Sequence, residues 1–137
     1  MVDFTTDLGK HALQRLEQEQ IGWLVTVGDD GTPQPSPIWF LWDGESCLIY
    51  SDPRMPKVRN IQQRPQVALH FNSDAEGGSI VVLTGTAVLE EAPSADKNAP
   101  YLEKYGEGIK QLGMTPEAMA ATYSATIIFR STKLRGH

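Results

Sequence analysis

The chain has 137 residues, with 12 Lys and Arg against 17 Asp and Glu, a formal net charge of −5, 40% apolar residues and 21% charged ones. That is one domain, residues 1–137, with enough apolar side chains to bury a real core, and its acidic balance excludes a general affinity for DNA or for an anionic membrane surface. No apolar run approaches the ~20 residues of a membrane span. The opening MVDFTTDLGK lacks the apolar stretch of a secretory signal, so the expected location is cytoplasmic.

In chain order, DLGKHALQRLEQEQ at 7–20 sets Leu8, Ala12 and Leu16 at helical spacing, with Thr6 or Asp7 available as cap. IGWLVTV at 21–27 is β-branched and aromatic, GDDGTP at 28–33 is turn chemistry, and QPSPIWFLW at 34–42 is extended again, which predicts two strands joined by a short turn. Pro33, Pro35 and Pro37 alternate, so their missing N–H groups fall on one side and require an edge or a bulged segment. SCLIYS at 46–51 is a third strand. Cys47, alone of its kind, rules out an internal disulfide and any CxxC site, and it reads as a small buried hydrophobe.

PRMPKVRNIQQRP predicts a second helix, with Pro56 in its first turn and Pro65 as its stop. VALHFN at 67–72 and the long SIVVLTGTAVLEE at 79–91 are strands, with Gly85 marking a bulge in the latter. Residues 94–122 hold two short helices, and SATIIFRSTKLRGH is a last strand with a basic tail. Six or so strands in mostly sequential order predict an antiparallel barrel with helices at its ends, in the α+β sense; an open sandwich is the alternative.

Charge is the most informative feature. No acidic residue lies between Asp52 and Asp74, where Arg54, Lys57, Arg59 and Arg64 give the window +4 and leave −9 on the rest of the chain. Ser51, Lys57 and the start of the second helix together would make a phosphate site; the alternative is a solvated helix face. Lys57 is the side chain chosen within it. The three histidines show no ligand spacing and no HExxH, GxSxG, P-loop or dinucleotide fingerprint occurs, so neither a metal site nor a serine hydrolase is predicted. Trp23, Trp39, Phe40 and Trp42 are core or the wall of a pocket for a flat ring. Trp39 and Phe40 face opposite ways on a strand.

The segments IGWLVTVGDDGTPQPSPIWF, LIYSDPRMPKVRNIQQRPQVALHF and VVLTGTAVL, in that order after a helix, resemble the pyridoxamine 5′-phosphate oxidase-like family of flavin and deazaflavin oxidoreductases. YSDPRMPKVRNIQQRP and the terminal TKLRG look most like its small actinobacterial F420-dependent branch. The resemblance implies a mainly β, six-stranded antiparallel split β-barrel with flanking helices, forming a homodimer with cofactor at the subunit interface. It places Gln34, Ser36 and Pro37 by the ring and ribityl chain, Tyr50 and Ser51 at the end of the third strand beside them, and Arg54, Met55, Pro56 and Lys57 in a phosphate turn, with Lys57 and Asn60 as side-chain contacts. It assigns no catalytic acid or base.

The implied function is hydride transfer between coenzyme F420 and a small electrophilic or aromatic substrate. FMN is the alternative cofactor, a non-catalytic carrier the alternative class, and a small structural dimer a third reading. Arg54, Arg59 and Arg64 are expected to attract the anionic glutamate tail of F420. Two departures matter. Gly78 and Ile80 stand where some relatives place aromatic residues, and the chain stops at His137 with only Lys133 and Arg135 nearby, so oxidation of pyridoxamine phosphate itself is not expected.

Overall fold

Thr6 accepts a hydrogen bond from the Gly9 amide through Oγ1 (2.9 Å) and caps α1, Asp7–Gln18, where the sequence leaves room for it. In the computed structural model, which describes residues 1–137, α1 turns Ala12 and Leu16 fully into the core. There follow β1 (Gly22–Val27), β2 (Pro33–Ile38), β3 (Leu41–Trp42), β4 (Cys47–Ser51), α2 (Pro56–Gln63), β5 (Gln66–His70) and β6 (Val81–Leu89). A 3-10 turn at Ala95–Lys97 leads to α3 (Ala99–Gln111), α4 (Pro116–Thr122) and β7 (Ala125–Gly136).

The strands form one antiparallel sheet in the order β2-β1-β5-β6-β7-β4-β3. Its two edge strands, β2 and β3, are separated in the chain only by Trp39 and Phe40. The segment therefore leaves one edge of the sheet and joins the other, which curls the sheet into the split barrel. This is also why seven strands are found where six were expected: the second strand breaks at Trp39–Phe40. At the break, side chains of α3 replace a neighbouring strand. The Phe40 amide donates to Tyr105 Oη (2.8 Å) and Lys104 Nζ donates to the Phe40 carbonyl (2.7 Å). The prolines of β2 are tolerated because that strand has β1 on one side and no strand on the other.

Register decides what the barrel buries. Leu24, Leu69, Leu83 and Leu134 stand opposite one another across β1, β5, β6 and β7 and pack into the interior with Phe40, Ile49 and Phe129. The alternate row, Pro37, Trp23, His70, Val82 and Arg135, faces outward. The expected bulge is present as a register shift at Thr84/Gly85, and a Cβ on Gly85 would stand 2.0 Å from the Arg130 carbonyl oxygen. The C-terminus differs from the basic tail expected of it. β7 pairs with β6 as far as Gly136, and His137 exchanges backbone hydrogen bonds with Ile80, so Lys133 and Arg135 are ladder residues.

A second, smaller core lies outside the barrel. On β4, Cys47 and Ile49 point inward, whereas Tyr50 packs with Ala95, Tyr101, Tyr105, Ile109 and Met119 of the helical segment. Cys47 is fully buried, and burial pushes its thiol up to about 12, leaving it inert. No cluster of three His, Cys, Asp or Glu side chains is placed to hold a metal ion, and no helix is long and apolar enough to cross a membrane.

Candidate functional site

Between β4 and α2 the chain turns through Asp52-Pro53-Arg54-Met55, with Asp and Pro at the positions that favour such a turn and the Met55 amide donating to the Asp52 carbonyl (3.0 Å). Asp52 Oδ1 accepts from the Arg54 amide (2.9 Å) and Nε (3.1 Å), and Oδ2 accepts from Nη2 (2.8 Å). The guanidinium holds the Asp52 carboxyl down at about 2. Pro56, which has no N–H, starts α2, no side chain caps it, and the Val58 amide donates to the Met55 carbonyl (3.1 Å), so the Lys57 amide is the one left open in the first turn.

The basic window is mostly matched by carboxylates. Arg54 is committed to Asp52, while Arg59 (2.8 Å) and Arg64 (2.7 Å) share Asp29 in the turn before β2. The three arginines expected to attract a polyanionic tail thus already hold partners. Lys57 is the exception. Half-buried, it takes part in no ion pair, and burial alone lowers its pKa below the usual lysine range.

Lys57 lines a pocket of about 460 Å³ together with Pro37, Tyr50, Ser51, Asp52 and Met55. The rest of the wall is apolar and aromatic: Ile21, Ile38 and Trp39 from the barrel, and Tyr101, Leu112, Met119 and Tyr123 from the α3–α4 segment. Trp39 lies flat on Tyr105, ring centroids 4.5 Å apart with 2° between planes. Phe40 turns instead into the barrel core, so the two aromatics do face opposite ways.

Of the residues named from the sequence, Pro37, Tyr50, Ser51, Met55 and Lys57 come together in this pocket. Gln34, Ser36, Arg54, Pro56 and Asn60 lie outside its lining. Asn60 is buried, and its Nδ2 donates to Thr26 Oγ1 (3.0 Å) and Gln34 Oε1 (2.9 Å), tying α2 to β1 and β2. Arg54 projects to solvent with 85% of its side chain exposed. The α3–α4 wall was missed as a site. Its signal, Tyr101 and Tyr105 on one helical stripe, is indistinguishable from ordinary core spacing. Chemically, the pocket suits a planar ring carrying an anionic substituent, and it contains no activated nucleophile or acid–base pair.

The family model described as pyridoxamine 5′-phosphate oxidase matches residues 8–133 of the chain. The chain belongs to the pyridoxamine 5′-phosphate oxidase family. A Listeria innocua protein provisionally named a pyridoxamine 5′-phosphate oxidase is 26% identical, with 90% of this chain and 92% of that one covered and a TM-score of 0.65. An F420 reductase is 28% identical over 89% of this chain and 94% of its own, with a TM-score of 0.62. HutZ, the heme storage protein of Vibrio cholerae, shares the fold at a TM-score of 0.64 and 14% identity, covering 96% of this chain and 95% of that one. The family fold thus serves proteins with different names and cargoes, and the site must decide what this member binds.

Proposed function

We propose that the protein is an oxidoreductase that binds coenzyme F420 in this pocket and exchanges a hydride with a small electrophilic or aromatic substrate. The observation that carries the reading is Lys57: a half-buried ammonium in no ion pair, set in a cavity whose wall, apart from Ser51 and the Asp52 already paired with Arg54, is aromatic and apolar. Burying an uncompensated cation is costly unless an anion joins it. Lys57, through its ammonium and its open backbone amide, and Ser51 would hold the phosphate, while Pro37, Trp39 and Tyr50 would flank the ring. The bound deazaflavin supplies the hydride chemistry; the chain positions it and keeps water away. No side chain is assigned as catalytic acid or base.

The choice of F420 over FMN rests on the branch resemblance and on the F420 reductase among the similar structures. The arginines no longer add to it, because Asp52 and Asp29 occupy them. The resemblance further supports a homodimer with cofactor at the interface, and the outward row around Trp23 and His70 offers a half-exposed face for a second copy. A titration of F420 against FMN, followed by ligand fluorescence, tests the cofactor, with tighter binding of F420 expected. Turnover of reduced F420 with quinones and enones tests the enzyme. Tight binding without oxidation above background would instead favour a carrier, and no binding of either coenzyme would remove the proposal.

A further inference from the structure

Three tyrosines pack in a row at the pocket, Tyr101 between Tyr50 and Tyr105, and the hydroxyls of the outer two are already engaged. Tyr50 Oη donates to the Pro93 carbonyl (2.6 Å) and accepts from Asn98 Nδ2 (3.0 Å). Tyr105 Oη accepts from the Phe40 amide (2.8 Å) and donates toward the Gln20 (2.8 Å) and Phe40 (3.0 Å) carbonyls. Tyr101 differs. Its side chain is only 2% exposed, its ring meets Tyr50 edge-on at 4.8 Å and Tyr105 at 4.9 Å, and only its backbone amide enters a side-chain hydrogen bond, to Asn98.

No side-chain oxygen sealed from the surface lacks a partner in this structure. The unpartnered Tyr101 hydroxyl is therefore not sealed off, and Tyr101 is one of the residues that line the pocket. Burial raises its pKa, so the group stays a donor across the physiological range. A buried phenol ordinarily finds an acceptor, and the chain supplies none to this one.

We infer that Tyr101 is a binding residue whose O–H donates a hydrogen bond to a carbonyl oxygen on a planar, otherwise apolar ligand seated in the pocket. This rests on the reading of the pocket as the coenzyme and substrate site. The carbonyl belongs either to the coenzyme ring or to the reactant laid against it, and separate probes distinguish the two.

The test compares wild type with Tyr101→Phe by calorimetric titration of F420, FMN, menadione and 2-methylnaphthalene, the last being the carbonyl-free parent of menadione. Because the hydroxyl has no protein partner to lose, Tyr101→Phe keeps the wild-type Tm. Affinity falls about three- to tenfold for the carbonyl ligands and is unchanged for 2-methylnaphthalene. Loss confined to the coenzymes assigns the acceptor to the coenzyme ring; loss confined to menadione assigns it to the reactant. Unchanged affinity for every probe, equal loss for 2-methylnaphthalene, or a lowered Tm overturns the inference while leaving the pocket reading in place. If wild type binds none of the probes, the pocket reading fails and this assignment fails with it.

Discussion

Lys57 and its neighbours show how far a single residue can be read. Its prominence was legible, because a run of cations without acids is visible in the sequence. What set it apart from Arg59 and Arg64 was not, because their partner Asp29 lies 30 and 35 positions away, across the turn between β1 and β2. The structural part played by Asn60 was hidden for the same reason: its Nδ2 donates to Thr26 and Gln34, contacts that only the fold brings together. Replacing it exposes that role. Asn60→Ala strands a buried Thr26 hydroxyl and is expected to cost about 1–3 kcal/mol in urea unfolding; a cost below ~0.5 kcal/mol would contradict it.

Lys57 also makes a pH prediction. Its pKa is lowered by burial, as is that of Lys104, which burial pushes to about 8. Between such a lowered value and the ordinary 10.5, each of these lysines binds more protons unfolded than folded, so its contribution to the stability of the empty protein rises with pH through that window, while the raised Cys47, Tyr101 and Tyr105 act in the opposite direction above their ordinary values. Affinity for an anionic ligand falls over the range in which Lys57 loses its proton. Urea midpoints from pH 7 to 10.5 for wild type, Lys57→Met and Lys104→Met separate the two contributions. The wild-type advantage over each variant is expected to grow with pH; a difference that stays flat or shrinks would sink this account.

At the level of elements, α3 does more than cover the barrel. Tyr105 and Lys104 bind the broken strand at Phe40, and Gly108 leaves room for Trp39, whose ring lies 3.1 Å from where a Cβ would stand. Gly106, by contrast, has nothing within 4 Å of that position. The two glycines therefore answer alanine differently. Gly106→Ala is expected to stabilise by about 0.5–1 kcal/mol through helix propensity and a less flexible unfolded chain. Gly108→Ala loses that gain by pressing on Trp39, and it weakens ligand binding in the pocket. Equal Tm increases in the two variants, with unchanged binding, would show that Trp39 has room to spare. Helices and strands were legible here from spacing, caps and prolines. The break at Trp39–Phe40 was not, since QPSPIWFLW reads as one extended run until side chains from α3 compete for its backbone.

For the whole molecule, the barrel closes because one ten-residue segment serves both edges of a single sheet, and local sequence carries no sign of that long-range pairing. The fold class was nonetheless legible from strand number, turn chemistry and the family resemblance. Closure leaves an outward face on β1, β5 and β6 in which Trp23, Val25, Ala68, His70 and Val82 are only half-buried. Covering it with a second copy predicts a solution mass twice the 15.1 kDa of the chain, and Trp23→Glu, which sets a charge in that face, is expected to return the protein to a folded monomer by light scattering. A wild-type chain that scatters as a monomer at micromolar concentration would exclude the dimer.

The central claim is that the lone ammonium of the β4–α2 junction holds the anionic stem of a ring coenzyme. Its most direct test is the affinity of F420 and FMN for wild type and for Lys57→Ala, measured by ligand fluorescence at fixed salt. The account predicts a loss of about 1.5–3 kcal/mol, roughly ten- to a hundredfold, for the coenzyme that binds, with the fold intact by circular dichroism. Equal affinity of the two proteins would contradict it.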